Sequence, residues 1–202
     1  MVSVVALSCH PDDVESGCFG TLALYREKNA KVKVLLLTDG ELGGDREVRL
    51  KAALQACQSI GASLAAAGFK DSQVTDNAET VSWIEKEIRN AAAEIVFAPF
   101  PQDRHQDHRN GGNAAISAAR EVANLLLYET PTTVGFEPQM YVDISRSLEA
   151  KVKAMALHKP PEEQALVSDA VRCLARFRAY QMRRVGGAVE VFQVVKWKLD
   201  PE

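Results

Sequence analysis

Cysteine and histidine are both scarce, four of each in 202 residues, and the two scarcities have different meanings. Cys9, Cys18, Cys57 and Cys173 are scattered, with no CxxC pair. That excludes a zinc ribbon and a disulfide framework. The four read as reduced thiols of a cytoplasmic protein, serving as small core residues. Long apolar runs are missing: nothing approaches the roughly 20 residues of a membrane span. The opening MVSVVALSCHPDD has no basic stretch and turns polar at once, so it is expected to be a first strand and not a signal peptide. A basic surplus is missing too. Lys and Arg number 24 against 27 Asp and Glu, a net charge of −3, which removes nucleic acid and anionic membranes as expected partners. No GxSxG elbow occurs, and Gly17-Cys18-Phe19-Gly20 is neither GxGxxG nor a P-loop. The usual serine hydrolase and nucleotide-binding readings fall with them.

What is present is ordinary globular composition, 47% hydrophobic and 25% charged. The length suits a single domain, 1–202, with a core that needs no staples. Apolar runs predict strands at 2–8, 32–37, 95–98, 125–128 and 140–143, and an alternating strand at 190–199 at or near a sheet edge. Helical patterns cover 17–29, 46–60, 79–93, 110–123, 145–158 (capped by Ser145) and 162–180, with 69–77 read as loop. Strands alternating with helices predict an α/β fold, its mostly parallel sheet covered on both faces.

Three of the four histidines fall in two polar clusters, Ser8-Cys9-His10-Pro11-Asp12-Asp13-Val14-Glu15 and Gln102-Asp103-Arg104-His105-Gln106-Asp107-His108-Arg109-Asn110. Each directly follows a predicted strand, as does Thr38-Asp39-Gly40-Glu41. Loops at the carboxyl ends of parallel strands line the ligand crevice of open α/β sheets, so these junctions are expected to converge. Singly, an Asp-Asp pair is a solvated turn and a surface histidine is merely solvated. Together at equivalent strand ends they make a metal site. His10, Asp13 and His108 supply two imidazoles and a carboxylate, leaving a position open for water, as catalytic zinc sites do. Zinc lowers the pKa of such a water from about 15.7 to about 7. The same set suits Fe2+, Mn2+ or Co2+. Asp12 is then placed to take the water proton. His105 can donate to an oxyanion or to a leaving amine, acting in its protonated form, and Asp107 can orient a histidine. His158 falls in the last turn of a predicted helix, where it suits the dipole.

His10-Pro11-Asp12-Asp13-Val14-Glu15, Thr38-Asp39-Gly40-Glu41 and His105-Gln106-Asp107-His108 resemble the LmbE-like (PIG-L) family of zinc-dependent N-acetylglucosaminyl deacetylases, which includes deacetylases of mycothiol and bacillithiol biosynthesis. The likeness continues through Arg49, Leu127-Tyr128-Glu129, Tyr141-Val142-Asp143-Ile144, Lys151 and Glu190-Val191-Phe192. It implies a Rossmann-like three-layer α/β/α fold and a homo-oligomer. It also implies Zn2+ on His10, Asp13 and His108, with Asp12 as base and His105 stabilising the tetrahedral intermediate. Arg49, Glu41 and Tyr128 become the candidates for contacting a small N-acetylated sugar, with Arg104 and Arg109 beside them. The sequence departs from the family at Gln106 (often proline), Ala52 (often glutamate) and His158-Lys159-Pro160-Pro161 (often His-x-Ser-Gln). Two other readings remain open: an inactive metal- or sugar-binding module of the same fold, and an amidase acting on a non-sugar substrate.

Overall fold

The computed structural model describes residues 1–198. Ser3–Ser8 (β1), Lys31–Thr38 (β2), Ser63–Phe69 (β3), Ile95–Pro99 (β4), Asn124–Tyr128 (β5), Met140–Asp143 (β6) and Val189–Lys196 (β7) form one sheet, ordered β3-β2-β1-β4-β5-β7-β6. The first five strands in that order run parallel, and β7 runs antiparallel to both β5 and β6. The parallel part has the doubly wound order 3-2-1-4-5, whose switch point falls between β1 and β4.

The helices are Asp13–Gly17 (α1), Phe19–Glu27 (α2), Arg46–Ser59 (α3), Ala78–Asn90 (α4), Gln106–Ala118 (α5), Leu148–Ala156 (α6) and Pro161–Gln181 (α7). β1 is buried along its whole length. Its alternate side chains serve two cores: Val5 and Leu7 join Ile84, Ile88, Ala114 and Ala118 of α4 and α5. Val4 and Ala6 join Val14, Phe19, Leu22, Cys57 and Ala154 on the other face. This is the three-layer α/β arrangement, with helices on both faces of a mostly parallel sheet. The side chains of Asp45 and Asn77 cap α3 and α4 by accepting from the backbone N–H of Val48 and Thr80.

Several local expectations differ. β3 was not foreseen: SLAAAGF is Ala- and Gly-rich with low strand propensity, and pairing with β2 at the sheet edge decides its conformation. α5 begins at Gln106 and not at 110, which puts Asp107 and His108 in its first turn. α6 begins at Leu148. Ser145 is held outside it, because its N–H and hydroxyl both donate to Asp143 Oδ1 in a local turn. The 17–29 helix is broken at Cys18. β7 lies second from the edge, between β5 and β6, in keeping with the near-edge place expected of it. The end of that predicted strand, Leu199, lies outside the described residues. Cys9, Cys18 and Cys57 are buried, but Cys173 is exposed on α7, so it is not a core residue.

Two buried features fix the backbone behind the site. Lys151 Nζ donates to Glu190 Oε1 and to the Ser16 carbonyl, both at 2.6 Å. Glu190 also accepts from the backbone N–H groups of Gly20 and Thr21 and from the Thr21 hydroxyl. This network ties α1 and α2 to α6 and β7. Tyr128, expected at the substrate, is instead a core residue. It is fully buried, and its hydroxyl donates to the Leu7 carbonyl at 2.6 Å. Its ring lies so close to Gly17 that a Cβ there would sit 2.1 Å from Tyr128 Cδ2, which is why glycine occupies that position.

Candidate metal centre

The polar clusters meet at the carboxyl ends of the parallel strands, around the β1/β4 switch point. β1 ends at Ser8, and the chain turns so that Asp13 starts α1. Asp13 Oδ2 accepts from the backbone N–H groups of Cys9 and His10 at 2.9 and 2.7 Å. Oδ1 is left facing His108 Nε2 at 3.1 Å. His10 Nδ1 lies 3.2 Å from the same His108 nitrogen and 3.6 Å from Asp13 Oδ2. Two imidazole nitrogens and one carboxylate therefore converge on a common point, from segments 98 residues apart.

The far side of each ring is also held. His10 Nε2 lies 3.0 Å from Asp107 Oδ2 and 3.2 Å from Asp71 Oδ1. His108 Nδ1 lies 3.3 Å from Asp103 Oδ1. A carboxylate on the distal N–H fixes the tautomer and aims the other nitrogen's lone pair inward, the outer arrangement typical of metal-binding histidines. The carboxylates are themselves secured. Asp107 accepts from the N–H groups of Ser72 and Val74. Asp103 accepts from the hydroxyls of Thr130, Thr132 and Thr133. The donor set thus fits a divalent cation. His105 brings one ligand atom within 4.8 Å of those of His10 and His108, and a second cluster on the far side of His10 comprises Asp71, His105 and Asp107.

The electrostatics follow from these contacts. Burial opposes charge on His10, but Asp107 and Asp13 outweigh it and raise its pKa to about 10. His108 is also raised: burial opposes this, and Asp13 prevails. Asp13 is driven well below the carboxylate range because His108 and His10 overcome its burial. Holding a cation would require His10 Nδ1 to be deprotonated, with the ring's other N–H kept by Asp107.

Asp12 stands apart from the ligands. Burial and then the neighbouring Asp13 charge raise its pKa to about 6, partly offset by His158 and Arg49. Its backbone is left-handed, with φ 113°. A non-glycine residue there is strained by about 1–3 kcal/mol, a condition found at functional sites. His105 caps α5, its Nδ1 accepting the Asp107 N–H at 3.2 Å. Burial and the neighbouring His10 and His108 lower its pKa. That lowering works against the protonated state expected of His105, and with Nδ1 accepting the Asp107 N–H it is Nε2 that is left to donate.

A cleft of about 370 Å³ opens over these groups, lined also by Leu42, Arg49, Ser72, Pro131 and Thr132. Arg49 donates from Nη2 to the Pro11 carbonyl at 3.0 Å and lies 4.0 Å from Asp12 Oδ1. Its buried Nε has no partner among the described residues. The guanidinium packs so close to Gly40 that a Cβ there would fall 2.5 Å from Nε, and Gly40 has φ 68°. Glu41 does not line the cleft. It accepts from the Asp71 N–H while Asp71 accepts from Leu42 N–H, a mutual brace between two loops. Arg109 is spent on the carbonyls of Asp103 and Arg104. Cys9 is inert: burial and then Asp13 push its thiol well above the ordinary range.

Two residues went unassigned in the sequence, Asp71 and Asp103. Asp71 follows the unforeseen β3 and gave no signal. Asp103 stood inside the second polar cluster, four residues after Pro99, and could have been found there. His158, read in the sequence as suiting a helix dipole, lies just beyond the end of α6. It is buried with Nε2 3.4 Å from Glu15 Oε1, and neither ring nitrogen completes a hydrogen bond among the described residues.

Residues 5–119 match the family PIG-L: GlcNAc-PI de-N-acetylase. The chain is 30% identical over 166 residues to the uncharacterized deacetylase YaiS of Escherichia coli strain K12, spanning 77% of this chain and 90% of that one. It is also 30% identical over 183 residues to the diacetylchitobiose deacetylase of Thermococcus kodakarensis, spanning 77% of this chain and 68% of the relative. Among solved structures, the conserved protein TT1542 from Thermus thermophilus superposes with a TM-score of 0.87 at 26% identity, over 99% of this chain and 97% of that one. The family match takes in more than half of the chain, including both halves of the histidine and aspartate cluster. The chain belongs to the PIG-L (LmbE-like) family, whose members include deacetylases of N-acetylated sugars.

Proposed function

We propose that the chain, acting as a single domain, is a metal-dependent hydrolase that removes the acetyl group from an N-acetylated amino sugar. His10, Asp13 and His108 hold the cation, Zn2+ first, with Fe2+, Mn2+ and Co2+ also suited to the donors. The observation that carries this reading is the convergence of His10 Nδ1, Asp13 Oδ1 and His108 Nε2, with Asp12 in the same cleft. When bound, the cation supplies Lewis acidity, polarising the amide carbonyl and acidifying a water.

The remaining work belongs to the chain's own side chains. Asp12, with its pKa lifted toward neutrality, accepts the proton of the attacking water and returns it to the amine nitrogen as the C–N bond breaks. His105 donates its Nε2–H to the oxygen on which negative charge builds. Asp107 and Asp103 hold the ligand rings in register. Arg49, which lines the cleft, is placed to reach a hydroxyl or anionic group of the sugar. A base poised beside the ligands has no use in a binding module, which disfavours the inactive alternative. No helix among the described residues is long and apolar enough to cross a membrane. A cytoplasmic location accords with the free thiols.

The test is acetate release from N,N'-diacetylchitobiose and N-acetylglucosamine. Metal-loaded protein is expected to release acetate, to lose activity on chelation and to regain it with Zn2+. Loaded protein that binds one cation yet releases acetate from no N-acetylated sugar would overturn the proposal.

A further inference from the structure

Leu42 and Gly43 line the cleft from the tip of the loop between β2 and α3. Residues 41–44 are all exposed, with Leu42 at 71%, an apolar side chain open to water beside the metal centre. Inside the tip, the Gly43 N–H donates to the Gly40 carbonyl. Among the described residues, only two hydrogen bonds join 41–44 to a distant part of the chain, and both involve Asp71. The Leu42 N–H donates to Asp71 Oδ2 at 3.1 Å, and the Asp71 N–H donates to Glu41 Oε1 at 3.0 Å.

The other oxygen of the same carboxylate faces the ligands: Asp71 Oδ1 lies 3.2 Å from His10 Nε2. Asp71 is buried, and its own loop is pinned to α5. The N–H groups of Ser72 and Val74 donate to Asp107, and the Asn110 amide donates to the Val74 carbonyl. A fixed segment therefore carries one carboxylate that reaches a metal ligand on one side and the cleft wall on the other. One carboxylate is enough to fix the tautomer of a ligand histidine, and Asp107 supplies it at 3.0 Å from His10 Nε2. A second buried carboxylate is costly to keep. What Asp71 adds is its hold on Leu42.

We propose that Asp71 is a positioning residue that couples the two halves of the site, setting the cleft wall at Leu42 with the carboxylate that also steadies His10. Cation affinity and substrate affinity are then linked, and such linkage is reciprocal. A His10 ring fixed at Nδ1 by a cation steadies Asp71 and, through it, Leu42. A substrate seated against Leu42 steadies Asp71 and, through it, His10. The substrate half rests on the hydrolase reading, and the cation half does not.

Three measurements on the full chain test this: hydrogen exchange at the Leu42 amide, Zn2+ affinity by competition with a chromophoric chelator, and KM for N,N'-diacetylchitobiose. In the intact chain, Zn2+ loading is expected to slow Leu42 exchange about tenfold. In Asp71→Ala, loading is expected to leave that exchange unchanged, with Zn2+ affinity weakened and KM raised about tenfold each and kcat moved less. Glu41→Ala loosens the tip without touching His10, so KM is expected to rise while Zn2+ affinity stays within about twofold of the parent. Should Asp71→Ala fail to fold, Asp71→Asn serves. Its amide has one oxygen for Leu42 or His10 but not both, so either Leu42 protection or Zn2+ affinity is expected to fall. Leu42 exchange indifferent to Zn2+ in the intact chain, exchange still slowed by Zn2+ in Asp71→Ala, or an Asp71 variant keeping both Leu42 protection and Zn2+ affinity would each overturn the proposal. A chain that hydrolyses no N-acetylated sugar would sink the hydrolase reading and leave the exchange and Zn2+ measurements to decide this one.

Discussion

Asp12→Asn is expected to lower turnover by about 10² to 10⁴, the usual contribution of a general base, with bound metal unchanged. The amide keeps the shape of the carboxylate but cannot accept a proton. Asp12 lies outside the ligand set, so the loss appears in turnover and not in metal content. Atomic absorption on the purified variant, beside acetate-release kinetics, separates these outcomes. The pH profile of the intact enzyme carries the same information. Asp12 must be ionised to act, so activity falls as pH drops through its pKa. That value is about 6 with burial and Asp13 as its main causes and no cation beside it, and a nearby cation lowers it further. The left-handed backbone at this position supplies a companion result. Asp12→Gly removes the strain and is expected to unfold at higher denaturant while being just as inactive. A variant at Asp12 that retained full activity would eliminate it as the base.

Glu190→Ala has the largest expected effect on stability, a loss of about 3–5 kcal/mol. The substitution leaves the Lys151 ammonium buried without its carboxylate. It also strips the acceptor from two backbone N–H groups and one hydroxyl at the start of α2. Replacing both partners with apolar residues of similar volume, Lys151→Met with Glu190→Leu, is expected to recover much of the loss, because no charge then remains unpaired. Urea unfolding of the single and double variants measures both. A single variant within about 0.5 kcal/mol of the parent, the range of neutral surface changes, would contradict the role given to this network.

The legible parts of the sequence were those where residue type and chain position agree. Apolar β1 followed at once by His10-Pro11-Asp12-Asp13, and β4 followed by the polar run through His108, placed both clusters at the carboxyl ends of strands. The alternation of strands and helices gave the parallel sheet. Less visible was whatever depends on contacts distant in sequence. Ser63–Phe69 is Ala- and Gly-rich and becomes a strand only by pairing with β2, so Asp71 behind His10 went unseen. His105-Gln106-Asp107 has no apolar period, and the start of α5 was placed too late as a result. Tyr128 stands at the end of a strand, where substrate contacts are common, yet its side chain turns inward against Gly17. The period of α7 announced a helix but not which of its two apolar faces the body would cover.

A crystal grown with equimolar Zn2+ and measured at the zinc absorption edge tests the centre of this interpretation most directly. One anomalous peak is expected within about 2.0–2.2 Å of His10 Nδ1, Asp13 Oδ1 and His108 Nε2. A peak lodged instead on the far side of His10, between Asp71 and Asp107, or no peak among these side chains, would contradict it.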